Sequence, residues 1–125
     1  MTIKFEYDAS MDCIVIETEG VIVYDDLAAL MQGLMSHEKF RPNISQILDC
    51  TNAALEIPMN QIKRFAAEAS KLGEVFGEDR KLAMVVSRDI DFAQMRQYEA
   101  FLQIGPGVQV QIFRSLDQAR GWIRG

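Results

Sequence analysis

The chain has 125 residues, 49% of them apolar and 25% charged, and carries a net charge of −5 at pH 7. That is the profile of one soluble globular domain with enough chain to bury a core. The acidic balance, with a pI near 4.8, argues against a nucleic-acid partner, because phosphate backbones call for clustered Lys and Arg.

No stretch approaches the ~20 apolar residues that span a bilayer. The opening residues alternate polar and apolar like a strand and not like a signal peptide. A cytoplasmic address is therefore expected. Two cysteines are too few for a disulfide framework.

Ile3, Phe5 and Tyr7 alternate with Lys4 and Glu6, which predicts a half-buried first strand. Residues 9–12 form a turn, and residues 13–18, with Ile14, Val15 and Ile16, form a second strand that pairs with the first as an antiparallel hairpin. Gly20 breaks this run. Residues 21–24 lead into a first helix, whose positive end Asp25 and Asp26 are placed to cap; Leu27, Leu30, Met31 and Leu34 recur at helical spacing.

Arg41-Pro42-Asn43 stops that helix, and residues 45–50 predict a third strand. Pro58 suits the first turn of a second helix, with an apolar stripe of Ile62, Phe65, Ala66, Ala69 and Leu72 and a frayed end between Gly73 and Gly77. Lys63, Arg64 and Lys71 are interleaved with Glu68 and Glu74, which reads as a solvated face. Residues 81–87 follow as a strand; Leu82-Ala83-Met84-Val85-Val86 lacks alternation, as in a central parallel strand covered on both faces.

Asp89 and Asp91 precede a third helix with Phe92, Met95, Tyr98 and Leu102 inward. Gly105-Pro106-Gly107 ends it, in the wrong order for a phosphate loop, which needs strand, glycines and then a helix. Val108, Val110 and Ile112 alternate with Gln109 and Gln111 in a last, outer strand. Ser115 caps a closing helix with Leu116, Ala119 and Ile123 on one face and Trp122 beside them. The repeated strand-then-helix order predicts parallel strands joined by helical crossovers in one domain over residues 1–125.

Catalytic motifs are sparse. His37 is the single histidine, which excludes multi-histidine metal sites and Ser–His–Asp triads within one chain. Cys13 and Cys50 lie in strands, where thiols behave as small hydrophobes. If their strands are parallel, some five residues of strand rise separate them by about 15 Å, too far for a disulfide. The acid pairs Asp25/Asp26 and Asp89/Asp91 read as helix caps. No catalytic residue, metal site or cofactor is expected. Polar residues do cluster at the carboxyl ends of the third and fourth strands, where ligands collect in open parallel sheets: Asp49, Thr51 and Asn52, then Ser87 and Arg88. These five are the candidate binding residues.

Ile16-Glu17-Thr18-Glu19-Gly20 followed by Tyr24-Asp25-Asp26-Leu27 resembles the opening of bacterial SpoIIAA-like proteins of the STAS group (sulphate-transporter and anti-sigma-factor-antagonist domains). Ile47-Leu48-Asp49-Cys50-Thr51 is similar to that group's strand ending in Asp. Val110-Gln111-Ile112-Phe113, Leu116-Asp117-Gln118-Ala119 and Trp122-Ile123 are similar to its closing strand and helix. The resemblance implies an α/β fold: a five-stranded, mostly parallel sheet with an N-terminal antiparallel hairpin and about four helices (β-β-α-β-α-β-α-β-α), shared in outline with CRAL-TRIO lipid-binding domains. It also implies a non-enzymatic regulatory module acting by protein contact. The family's phosphorylatable serine at the start of the second helix is missing from Ala54-Leu55-Glu56-Ile57-Pro58-Met59, so its phosphoserine switch is not expected; Thr51 is the nearest hydroxyl.

Three expectations follow: a protein partner docking on Asp49, Thr51, Asn52, Ser87 and Arg88, with Arg88 as the charged anchor; alternatively, a small apolar ligand or nucleotide carried among methionine-rich helices (Met31, Met35, Met95); and a symmetric homodimer through the sheet face that sequential crossovers leave uncovered.

Overall fold

The alternation of the first residues builds β1 (Thr2–Asp8), which pairs antiparallel with β2 (Cys13–Ile22) in a register that sets Phe5 opposite Ile16 and Asp8 opposite Cys13. The computed structural model describes residues 1–102 and 107–125. Within it, β3 (Ser45–Leu55), β4 (Asp79–Val86) and β5 (Gly107–Phe113) add in parallel, giving a five-stranded sheet in the order β1-β2-β3-β4-β5. The helices are α1 (Tyr24–Met35), α2 (Met59–Ser70), α3 (Gly73–Phe76), α4 (Asp89–Leu102) and α5 (Leu116–Arg124). The expected α/β class, hairpin and parallel sheet are all present, with one short helix more than expected.

Because every crossover steps the same way along the sheet, the fixed handedness of such units stacks their helices on one face. There α1, α2, α3 and α4 bury Ile14, Ile16, Cys50, Met84 and Val86 under Leu30, Leu34, Ile62, Phe76 and Met95. The opposite face receives α5 alone, which packs Leu116, Ala119, Trp122 and Ile123 on Cys13, Val15, Ile47, Ala83 and Val85. This one helix covers the central strand. The rest of that face is polar, with Lys4, Glu6, Glu17, Gln109 and Gln111 exposed. Among the described residues, the sheet face on which a homodimer was expected is thus covered by α5 at its centre and polar beyond it.

Several boundaries differ from the sequence reading, for physical reasons. β2 runs through Gly20, which takes φ of +95°, and β3 runs five residues past Cys50. A bulge between Glu17 and Glu19 shifts the register so that Glu19 meets Asn52 and Ile22 meets Leu55; this pairing overrides the weak strand propensity of Asn52-Ala53-Ala54. Pro58 is the N-cap of α2 and not its first residue. The expected frayed end of α2 is the separate turn α3.

Asp26 caps α1 from inside its first turn, accepting from the Val23 backbone N–H at 2.8 Å. Asp89 and Asp91 lie within the first turn of α4 and do not precede it. Ser115 caps α5 as expected, its hydroxyl accepting from the Gln118 N–H at 3.2 Å. His37 Nδ1 accepts from the Lys39 N–H at 3.0 Å in the turn after α1, a structural role. The expectations for Gly105 and Pro106, and for the side chains of Tyr98 and Leu102, lie outside the described residues.

Candidate functional site

At the carboxyl ends of the strands four of the five candidate residues are engaged in internal hydrogen bonds. Asp49 Oδ1 accepts from both the N–H and the hydroxyl of Thr51, at 3.0 and 2.8 Å, a local turn that fixes the bulged β3 backbone. Ser87 Oγ donates to the Thr51 carbonyl at 2.8 Å, tying β4 to β3. Arg88 grips Asp91 through Nε and an Nη, both at 2.7 Å. Arg114 bridges Asp89 at 2.6 Å and the Ser87 carbonyl at 3.2 Å. Asn52 is exposed and makes no side-chain hydrogen bond among the described residues. The structure thus brings Asp49, Thr51 and Ser87 together, and gives Arg88 to Asp91.

The topology does not provide the usual crevice of an open parallel sheet at this edge. The carboxyl-end rule applies where strand order reverses and neighbouring crossovers part to opposite faces. Here the order is sequential throughout, so α1, α2 and α4 stay side by side.

The cavity lies elsewhere. Between α1, α2, α3 and the sheet is a space of about 160 Å³ lined by aliphatic and aromatic side chains, among them Leu30, Met31, Leu48, Phe65, Leu82 and Met95. Gln46, Arg80, Ser70, Glu78 and the backbone of Gly77 supply its polar edge. Gln46 and Arg80 stand at the starts of β3 and β4, so this edge lies at the amino ends of the strands, opposite to the end chosen from sequence.

Gln46 is 2% exposed. Its Nε2 donates to the Ile44 carbonyl at 2.6 Å and its Oε1 accepts from Arg80 Nη1 at 2.8 Å. The Arg80 guanidinium also reaches the Gly77 carbonyl at 3.4 Å and lies 5.5 Å from the centre of the Phe76 ring. No carboxylate lies within ion-pair distance of Arg80 among the described residues, and burial pushes its pKa down. A signal for this pair was present: both residues occupy inward positions of their strands, ahead of Leu48-Cys50 and Leu82-Met84-Val86 in period two, where a polar side chain is out of place.

Burial pushes the Cys13 and Cys50 thiols up to about 11, far from the thiolate that a nucleophile or metal ligand needs. Among the described residues no three His, Cys, Asp or Glu side chains group to hold a metal ion, and no helix is long and apolar enough to cross a membrane.

No family model matches the chain, and no curated protein matches it. Among solved structures it is similar to an uncharacterized protein of the DUF3478 family with a SpoIIAA-like fold from Shewanella loihica PV-4, at 17% identity and a TM-score of 0.59, over 98% of this chain and 92% of that one. The fold is SpoIIAA-like. An identity this low carries the architecture and nothing about activity. Within the SpoIIAA-like frame, β1–β2 is the antiparallel hairpin, β3–β5 are the parallel strands, and α5 is the lone helix on the second face. The sequence resemblance in residues 16–27, 47–51 and 110–123 pointed to this same architecture.

Proposed function

We propose that this chain is a non-enzymatic SpoIIAA-like module that holds a small apolar molecule between its helices and its sheet. The cavity beside Leu30, Met31, Phe65 and Met95 carries the reading: a mostly aliphatic lining excludes water and selects for an apolar body. A nucleotide's polyphosphate would meet a single cation there. The test is native mass spectrometry of the purified protein with a thermal-shift panel of apolar compounds. A ligand at a hundredfold excess over its Kd adds roughly 2.7 kcal/mol, a rise of several degrees for a domain of this size. Met31→Trp, which fills the space, should abolish the rise. A flat panel together with a ligand-free native mass would overturn the reading.

A separate observation favours a second reading, regulation by protein contact at the strand carboxyl ends. Ile90 is 67% exposed in the first turn of α4 beside Ser87 and Arg88, and Val21 and Val23 are exposed at the end of β2. Large apolar side chains standing in water beside polar loops suit a docking surface for a protein partner or a second copy of this chain. Light scattering over a concentration series on wild type and Ile90→Ser reads the second-copy case. A dimer that weakens in the variant supports it, and a monomer at every concentration removes it.

A further inference from the structure

The cavity has one polar feature that an apolar ligand alone would not use. The Arg80 guanidinium sits in its wall, held by the neutral acceptors Gln46 Oε1 and the Gly77 carbonyl and stacked near Phe76. Glu78 is exposed at the rim and is not within ion-pair distance of it. A partly buried cation with no carboxylate within ion-pair distance among the described residues is costly to keep, and the cost is relieved when an anion arrives. The Gln46 bond occupies one guanidinium nitrogen and fixes the fork in place, leaving N–H donors for a planar, two-oxygen acceptor. Burial alone also lowers the pKa of Arg80, as expected of a guanidinium that lacks a carboxylate neighbour.

Size sets the rest. A dry space near 150 Å³ holds about one benzene ring, and this one is about 160 Å³. We infer that the cavity takes a small amphipathic carboxylate, with a body of about one aromatic ring among Leu30, Met31 and Phe65, and its carboxylate on Arg80. This inference rests on the apolar-cavity reading above and adds the charge and the size of the ligand.

Three matched probes separate the two claims: 3-phenylpropionate, 3-phenylpropan-1-ol and 3-phenylpropylamine, titrated into the full chain and followed by NMR shifts of the methionine methyls. The expected result is that the carboxylate binds about tenfold to a hundredfold tighter than the alcohol, the range for a charge-assisted hydrogen bond, and that the amine binds worst. Arg80→Met should abolish the preference of the carboxylate over the alcohol, and Arg80→Lys should keep part of it. Equal binding of all three probes to the wild type would overturn the anion inference and leave the apolar cavity standing. No shift at Met31 or Met95 with any probe would overturn both. Should Arg80→Met fail to fold, the ranking of the probes on the wild type and on Arg80→Lys still decides.

Discussion

Arg88 and Asp91 form a two-pronged ion pair across the first turn of α4, both contacts at 2.7 Å, with the carboxylate 1% exposed and the guanidinium side chain 50% exposed. The acid is the buried partner, so the pair is asymmetric. Removing Arg88 strands a desolvated carboxylate, whereas the arginine can turn to water if Asp91 is removed.

Arg88→Ala is therefore expected to cost about 1–3 kcal/mol of stability, read as a lower urea midpoint at unchanged m-value. Replacing both partners by apolar residues, Arg88→Met with Asp91→Leu, should recover part of that loss. An Arg88→Ala variant as stable as the wild type would show that water already reaches Asp91. Any loss of partner binding in Arg88→Ala has to be separated from this destabilisation, which makes Ile90 the cleaner probe of docking.

Gly77 joins the end of α3 to β4 with φ of +82° and ψ of 161°, a region open essentially to glycine alone. A Cβ there would meet the side-chain oxygen of Asn43 and come within 2.5 Å of its backbone nitrogen. The same Asn43 donates its N–H to the Phe76 carbonyl at 2.9 Å and accepts the Asp79 N–H at 3.0 Å. Gly77→Ala should destabilise by about 3 kcal/mol through strain and clash together. Asn43→Ala, which loses one exposed bond and places alanine at a φ of 69°, should cost less, about 1–2 kcal/mol. Thermal unfolding of the two variants checks the order.

Most of the fold was legible because strands and helices announce themselves by period. Ile3-Phe5-Tyr7, Val108-Val110-Ile112 and the unbroken Leu82–Val86 run each became the strand type their pattern implied. The tail of β3 was not legible, since Asn52-Ala53-Ala54 is held by pairing with β2 across a bulge and by nothing in its own composition. The cavity was not legible for a related reason. Strand order is not encoded in periodicity, and the carboxyl-end rule needs a reversal that this sheet lacks. The cavity depends on how far α1 and α2 stand off β3 and β4, which is a matter of packed volumes. Only Gln46 and Arg80, polar at inward strand positions, marked it in advance.

The buried thiols should make stability fall at alkaline pH. Cys13 and Cys50 are raised to about 11 by burial, against about 8.5 for an exposed thiol. Between these values the unfolded chain releases protons that the folded chain keeps. Stabilisation complete below about pH 8.5 is therefore lost as the pH rises towards 11. Urea midpoints measured from pH 7 to 10.5 should decline, and Cys50→Ala should flatten the decline. A pH-independent midpoint in the wild type would show that the thiols ionise as readily folded as unfolded.

Cys13 and Cys50 also report on the two faces of the sheet. Their strands are parallel, with Cys13 opposite Ser45 and Cys50 five residues further along β3. At ~3.3 Å per residue the separation along the strand is on the order of 16 Å, so mild oxidation should yield no bridge within one chain. Cys13 lies under α5 with Val15 and Ile47, while Cys50 lies under α2 and α4 with Ile62 and Met95. Trp122→Ala should loosen α5, which Lys81 Nζ holds through the Trp122 carbonyl at 2.8 Å and the ring at 5.2 Å. In that variant a thiol reagent should modify Cys13 at least tenfold faster while Cys50 stays protected, and Ile62→Ala should favour Cys50 instead. Peptide mapping after a timed pulse assigns the modified thiol. Equal acceleration of both thiols in either variant would mean that the two faces open together, and that α5 is not an independent cover.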